Sequence, residues 1–309
     1  GSDCEPIAQF IEVLSWAVSN VSPNSMFFDP GIRAFVGYKS TGAKPVELCL
    51  DGTIREQGTG AGFNTRPDFQ MTGSNLDSAS YNPYNNTVVY VRRNTPTTIR
   101  VVPLSATQEG QPMITGTDVQ LRTEGNVSIA NGQGGAITDA GDLMISTASG
   151  RVYVFFREPG TSTGFGNPVG NVLLADDSFL TTAPNGSGGD VAWSIPGTDL
   201  YATAYELAGN QLIHFYDTSD PAGGSYDVEF TTSDIPGVLF PNGSANMLSS
   251  PLDGSEAGFD GGSFVICSTN SSTPCRLYAR TCDTDADCCG VADGATCINN
   301  RCATAPVVD

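Results

Sequence analysis

Histidine is nearly absent from this chain: His214 is the single one in 309 residues. That excludes a histidine-built zinc centre and leaves one imidazole for any acid–base pair. Basic residues are also scarce, with 14 Lys and Arg against 33 Asp and Glu, a net charge of -19. Only Lys39 and Lys44 are lysines. Such a surface repels a phosphate backbone, so nucleic-acid binding through a basic patch is excluded. No apolar run approaches the length of a membrane span. The G-x-S-x-G elbow, the H-E-x-x-H helix and the phosphate-cradling glycine loop are missing too.

What is abundant points to strands and turns. The chain has 36 Gly and 19 Pro, and its 15 Phe and 10 Tyr supply a sizeable core. Seven of the nine cysteines lie between Cys267 and Cys302, a cluster suited to an oxidising compartment. Six N-x-S/T sequons start at Asn20, Asn85, Asn126, Asn185, Asn242 and Asn270, each a candidate glycan acceptor in a secreted protein. Gly1-Ser2 reads as a cloning remnant, so a signal peptide is expected to have been removed. Together these features predict a secreted or extracellular protein.

A repeat of about 55 residues organises the chain. One unit runs Gly135-Ala-Ile-Thr, Leu143-Met-Ile-Ser-Thr-Ala, then Arg151-Val-Tyr-Val-Phe-Phe. The next runs Asp190-Val-Ala-Trp-Ser, Asp199-Leu-Tyr-Ala-Thr-Ala-Tyr, then Gln211-Leu-Ile-His-Phe-Tyr. Ala136 and Ala192 hold equivalent places. Similar triplets begin near Ser25, Ser80 and Asn246, all divided by Gly, Asn, Asp or Pro turns. Val119-Gln-Leu-Arg, Gly170-Asn-Val-Leu-Leu and Tyr226-Asp-Val-Glu-Phe are candidate fourth strands. Four antiparallel strands per unit, repeated radially, predict an all-β, five-bladed β-propeller over residues 7–280. The segment Phe10-Ile-Glu-Val-Leu-Ser-Trp-Ala-Val is the expected closing strand on the last blade, a short amphipathic helix being the alternative.

From Cys275 onward the spacing is C-x6-C-x5-CC-x7-C-x4-C. This segment resembles the inhibitor cystine-knot family of small secreted modules, over about one tenth of the chain. The resemblance implies a compact module at residues 275–302 with pairings Cys275–Cys289, Cys282–Cys297 and Cys288–Cys302. Alternative pairings are Cys267 with Cys275 across a hairpin, and Cys4 with Cys49. Nine is an odd number, so one thiol is free, buried or intermolecular.

Candidate chemistry is sparse. His214 falls on a predicted strand and reads as structural. Paired carboxylates on inner strands would suit glycoside hydrolysis, yet only Asp190 lies on one, with Asp29 and Asp139 just beyond strand ends. Calcium is the most credible cofactor, because Asp283, Asp285 and Asp287 alternate in one loop as hard oxygen ligands. The loop from Asp253 to Asp260 has similar composition. With no catalytic constellation in view, the expected function is a non-catalytic, secreted or cell-surface structural protein. It would bind a protein or glycan surface, as part of a larger assembly. The alternative is a calcium-dependent hydrolase of polysaccharide or phosphate esters working in a propeller channel.

Overall fold

The computed structural model describes residues 10–18, 21–39, 44–56, 76–108, 117–138, 140–166, 168–180, 192–194, 200–207, 210–217, 225–230, 264–266, 275–280, 284–285, 295–298 and 301–304. Nearly all of them are strand or tight turn. After β1 (Phe10–Trp16) come β2 (Val21–Asp29), β3 (Ala34–Lys39), β4 (Lys44–Cys49) and β5 (Ile54–Glu56), an antiparallel meander. A second meander contains β6 (Leu76–Asn82), β7 (Thr87–Arg92), β8 (Thr98–Pro103) and β9 (Val119–Arg122). The chain continues through β10 (Gly132–Ile137), β11 (Leu143–Thr147), β12 (Arg151–Phe155), β13 (Pro168–Val169), β14 (Val172–Leu174) and β15 (Asp177–Leu180). A further meander has β16 (Ala192–Ser194), β17 (Leu200–Leu207), β18 (Asn210–Asp217) and β19 (Ser225–Phe230). Last come β20 (Phe264–Ile266), β21 (Cys275–Arg280), β22 (Ala295–Ile298) and β23 (Arg301–Thr304).

The expected five-bladed propeller is corrected by the pairing. Among the described residues the strands form separate open sheets of unequal size, and none closes into a barrel or ring. The second sheet has six strands, in the order β13-β14-β9-β8-β7-β6, and the sheet at the chain ends has three, β1-β21-β20. The physical reason is that the repeat encodes local meanders, whereas what joins a sheet beyond its own meander is chosen over longer range. Gly170–Leu174 was expected to finish the unit that begins at Gly135. Instead β14 leaves that unit and runs parallel to β9, with Leu173 opposite Leu121. The unit is finished by β15, whose Ser178 faces Tyr153. Residues 10–16 are a strand, with Trp16 opposite Cys275 and Ile11 opposite Ala279.

The expected cystine-knot module is corrected as well: the described tail is a two-stranded hairpin, β22-β23, with Cys297 opposite Cys302. Cys275 and Cys297 are each disulfide-bonded, but no three-bridge knot is formed among the described residues. Cys49 is buried and free, which removes a Cys4–Cys49 bridge and accounts for one odd thiol.

Sheets pack through their first strands, β2 against β6, β6 against β10 and β10 against β16. Close approach of β10 to β7 depends on Gly135, because a Cβ there would lie 2.8 Å from Val91 Cγ2. Ser78 Oγ accepts the Gly135 N–H at 3.1 Å, and Ser80 Oγ donates to the Gly135 carbonyl at 2.7 Å. The six-stranded sheet has apolar cores on both faces. Val91, Ile99, Leu121 and Leu173 pack with Ile145 and Phe155 on one side. Ala79, Val88, Tyr90 and Val102 pack with Phe27 and Val36 on the other. Each fully buried Val, Leu, Ile or Phe among them contributes about 1.5–3 kcal/mol by leaving water.

Candidate anion-binding site

Strand alternation decides what lies on the second of those faces beyond its apolar patch. Val91, Ile99 and Leu121 point into the first core, so Arg92, Thr98, Arg100, Gln120 and Arg122 share the opposite face. Thr98 is the cross-strand partner of Arg92 on β7 and of Gln120 on β9. Three adjacent strands therefore bring three arginines together in a chain that has few basic residues.

One carboxylate organises two of them. Asp118, immediately before β9, is ion-paired through Oδ2 with Arg92 Nη1. Its Oδ1 accepts from Arg100 Nε at 2.8 Å and lies 2.7 Å from Arg100 Nη2, a forked contact. Such charge-assisted, two-pronged bonds fix geometry better than a lysine would. The side chains of Arg92, Arg100 and Asp118 are 11%, 14% and 22% exposed, so water screens the cluster only in part. Asn171 locks the backbone of Asp118 in place: its Nδ2 donates to the Asp118 carbonyl at 2.7 Å, while its own carbonyl accepts from Gln120 N–H. The parallel β9–β14 pair thus positions the carboxylate.

Arg122 extends the face. Its Nη2 donates to Gln120 Oε1 at 3.3 Å and its Nη1 to the Asn126 carbonyl at 3.2 Å. Two donors on this face are buried without a hydrogen-bond partner among the described residues, Thr98 Oγ1 and Arg122 Nε. Leaving such atoms unmatched is costly, and polar ligands commonly complete them. Three guanidiniums on one face stand out in a chain of net charge -19.

The residues singled out from the sequence lie elsewhere. Asp285 Oδ1 accepts the Cys297 N–H at 2.8 Å, which ties its loop to β22. Asp283, Asp287, Asp253 and Asp260 fall outside the described residues, as do Asp139 and Asp190. Among the described residues no three carboxylate, histidine or cysteine groups gather as a metal site. Asp29 is fully buried at the end of β2, and its Oδ1 accepts the Gly31 N–H at 3.0 Å, the role of a turn former. His214, on β18, faces Thr203 and Asp227 across its two neighbouring strands. Asn85 and Asn126 are exposed turn residues, and Asn20, Asn185, Asn242 and Asn270 lie outside the described residues. Sequence reasoning missed the arginine face. Its signal was there, since Arg100 and Arg122 each alternate with apolar residues in segments read as strands.

No protein-family model and no curated protein matches the chain. Solved structures do. The hydrazine synthase of Kuenenia stuttgartiensis is 10% identical, with a TM-score of 0.39 over 79% of this chain and 55% of that one. The selenomethionine-substituted virginiamycin B lyase of Staphylococcus aureus is 12% identical, with a TM-score of 0.38 over 79% and 62%. A catalytically inactive form of that lyase with quinupristin is 11% identical, with a TM-score of 0.40 over 83% and 66%. The chain thus spans from about half to just under two thirds of these proteins. The expectation was a non-catalytic structural or interaction protein, whereas the solved structures found similar are a synthase and a lyase. At such low identity and TM-score, their reactions name no substrate for this chain. Among the described residues, no helix is long and apolar enough to cross a membrane.

Proposed function

We propose that the protein is a hydrolase whose substrate, a polysaccharide or a phosphate ester, carries acidic groups held by the arginine face. The observation that carries this reading is the pairing of Arg92 and Arg100 with the single carboxylate of Asp118, with Arg122 on the same face of the sheet. A guanidinium is a planar fork of donors with no acceptor, so the part of these groups is to bind and orient an anion. They also stabilise negative charge as the scissile bond breaks. Calcium belongs to the proposal through Asp283, Asp285 and Asp287, with oxygen ligands of the kind that ion takes.

The test is a turnover screen of acidic polysaccharides and phosphate esters, run with added calcium and again with chelator. Turnover that Arg100→Gln lowers about tenfold or more in kcat/KM supports the reading. Turnover unchanged by both Arg92→Gln and Arg100→Gln, or none on any acidic substrate, rejects it. Loss of turnover on chelation, restored by calcium, supports the ion; indifference to chelator removes it.

A further inference from the structure

We infer that the arginine face binds a tetrahedral phosphoryl group, so that the substrate is a phosphate ester rather than an acidic polysaccharide. This rests on the hydrolase reading above and narrows it. The argument is one of competition and of donor number.

Arg92 and Arg100 are engaged by a carboxylate already, that of Asp118. A uronate carboxylate has the same charge and the same two oxygens as Asp118. Exchanging one for the other gains no contact and costs the freedom of a second molecule. A phosphoryl dianion brings a second negative charge to a face that carries three guanidiniums. It also brings a third oxygen.

The two unmatched donors fit that third oxygen. Thr98 is only 9% exposed, yet its hydroxyl has no partner among the described residues. It stands between Arg92 and Gln120 on the same face. Arg122 Nε is likewise buried and unmatched, two residues along β9 from Gln120. Two guanidiniums alone satisfy a planar carboxylate; adding a hydroxyl and a further guanidinium N–H suits three oxygens that do not share a plane. Asp118 then acts as a placeholder, holding the arginines in position until the phosphoryl group displaces it.

Titration calorimetry of the whole chain with inorganic phosphate tests this, with acetate and galacturonate as carboxylate controls at matched ionic strength. Phosphate should bind more tightly than either control. Thr98→Val, which keeps the branched shape of the side chain, should weaken phosphate about tenfold, the scale of one hydrogen bond to an anion. Arg122→Gln should weaken it at least as much, and Asp118→Asn should tighten it about tenfold by removing the competing charge. Galacturonate binding equal to or tighter than phosphate overturns the inference while leaving the hydrolase reading intact. So does phosphate binding unmoved by both Thr98→Val and Asp118→Asn. Absence of phosphate binding also overturns the inference, whereas the hydrolase reading falls only with the turnover screen. Far-ultraviolet circular dichroism of each variant keeps a folding defect distinct from a binding one.

Discussion

The indole N–H of Trp16 donates a 2.9 Å hydrogen bond to the carbonyl of Cys49, joining β1 to the end of β4 across 33 residues. Trp16 is fully buried and meets Phe35 edge to face at 6.1 Å. Trp16→Phe removes this donor while keeping an aromatic ring, and the Cys49 carbonyl still accepts the Gly52 N–H. Urea unfolding should show a loss of about 0.5–1.5 kcal/mol, the net worth of one hydrogen bond. Trp16→Leu should cost more, because the ring contact goes too. A midpoint unchanged in both variants would mean that β1 contributes nothing to the cooperative unit.

Alkaline pH should weaken the protein through Tyr153. Burial raises its phenol above the ordinary value of 10.0, and the charge of Arg151 pulls it back only in part. A raised pKa in the folded state means that folding favours the protonated phenol. That stability is fully present below the unfolded pKa of about 10 and is lost as pH rises through the folded value. The melting temperature should therefore fall less steeply above about pH 10 in Tyr153→Phe than in the parent chain. Identical slopes would refute the assignment.

Gly141 sits under a stacked pair. The Arg157 guanidinium lies 4.3 Å from the Tyr84 ring centroid, and a Cβ on Gly141 would come within 2.6 Å of Arg157 Cδ and 2.8 Å of Tyr84 Cδ2. Its φ of +87 adds backbone strain for any other residue. Gly141→Ala should lose about 1–3 kcal/mol, and in an Arg157→Ala background the loss should be smaller. Additive losses would show that the collision plays no part.

The anchoring of Asp118 gives a separate test. Asn171→Ala removes the bond to the Asp118 carbonyl, which lies at the edge of the site and makes no contact with any proposed ligand. The expected cost is about 1 kcal/mol in stability. Asn171→Asp, which keeps an oxygen but not the donor, should not restore it. Unchanged stability in Asn171→Ala would show that β9 holds Asp118 without help.

These features were unequally legible in the sequence. Leu143-Met-Ile-Ser-Thr and Arg151-Val-Tyr-Val-Phe read as strands because the turn between them is local, and Gly150 N–H indeed bonds the Thr147 carbonyl. Val119-Gln-Leu-Arg and Tyr226-Asp-Val-Glu-Phe were readable as fourth strands, for they join β8 and β18. Val172–Leu174 was misplaced, because three apolar residues carry no mark of which edge they will join. The regular spacing of units was likewise silent on how the sheets end, and so the propeller was over-read. Arg100 and Arg122 were visible as polar members of alternating strands. The pairing of Arg92 and Arg100 with Asp118 was not, since that residue lies outside any periodic segment and is set beside them by the β8–β9 register, its backbone held by Asn171.

The β9–β14 pairing orders the assembly of the molecule in time. Between β9 and β14 the chain lays down β10, β11 and β12, which belong to another sheet. A ribosome that has released residues up to Arg122 has supplied Arg92, Arg100 and Asp118, yet not Asn171 or the strand that covers β9. The arginine-bearing sheet must wait with an open edge while nearly 50 further residues emerge, and its completion is a non-local, parallel event of the slow kind. Maturation of the site is consequently coupled to the folding of its neighbour: a nascent chain halted before residue 168 would carry all three arginines and still lack the framework that aims them.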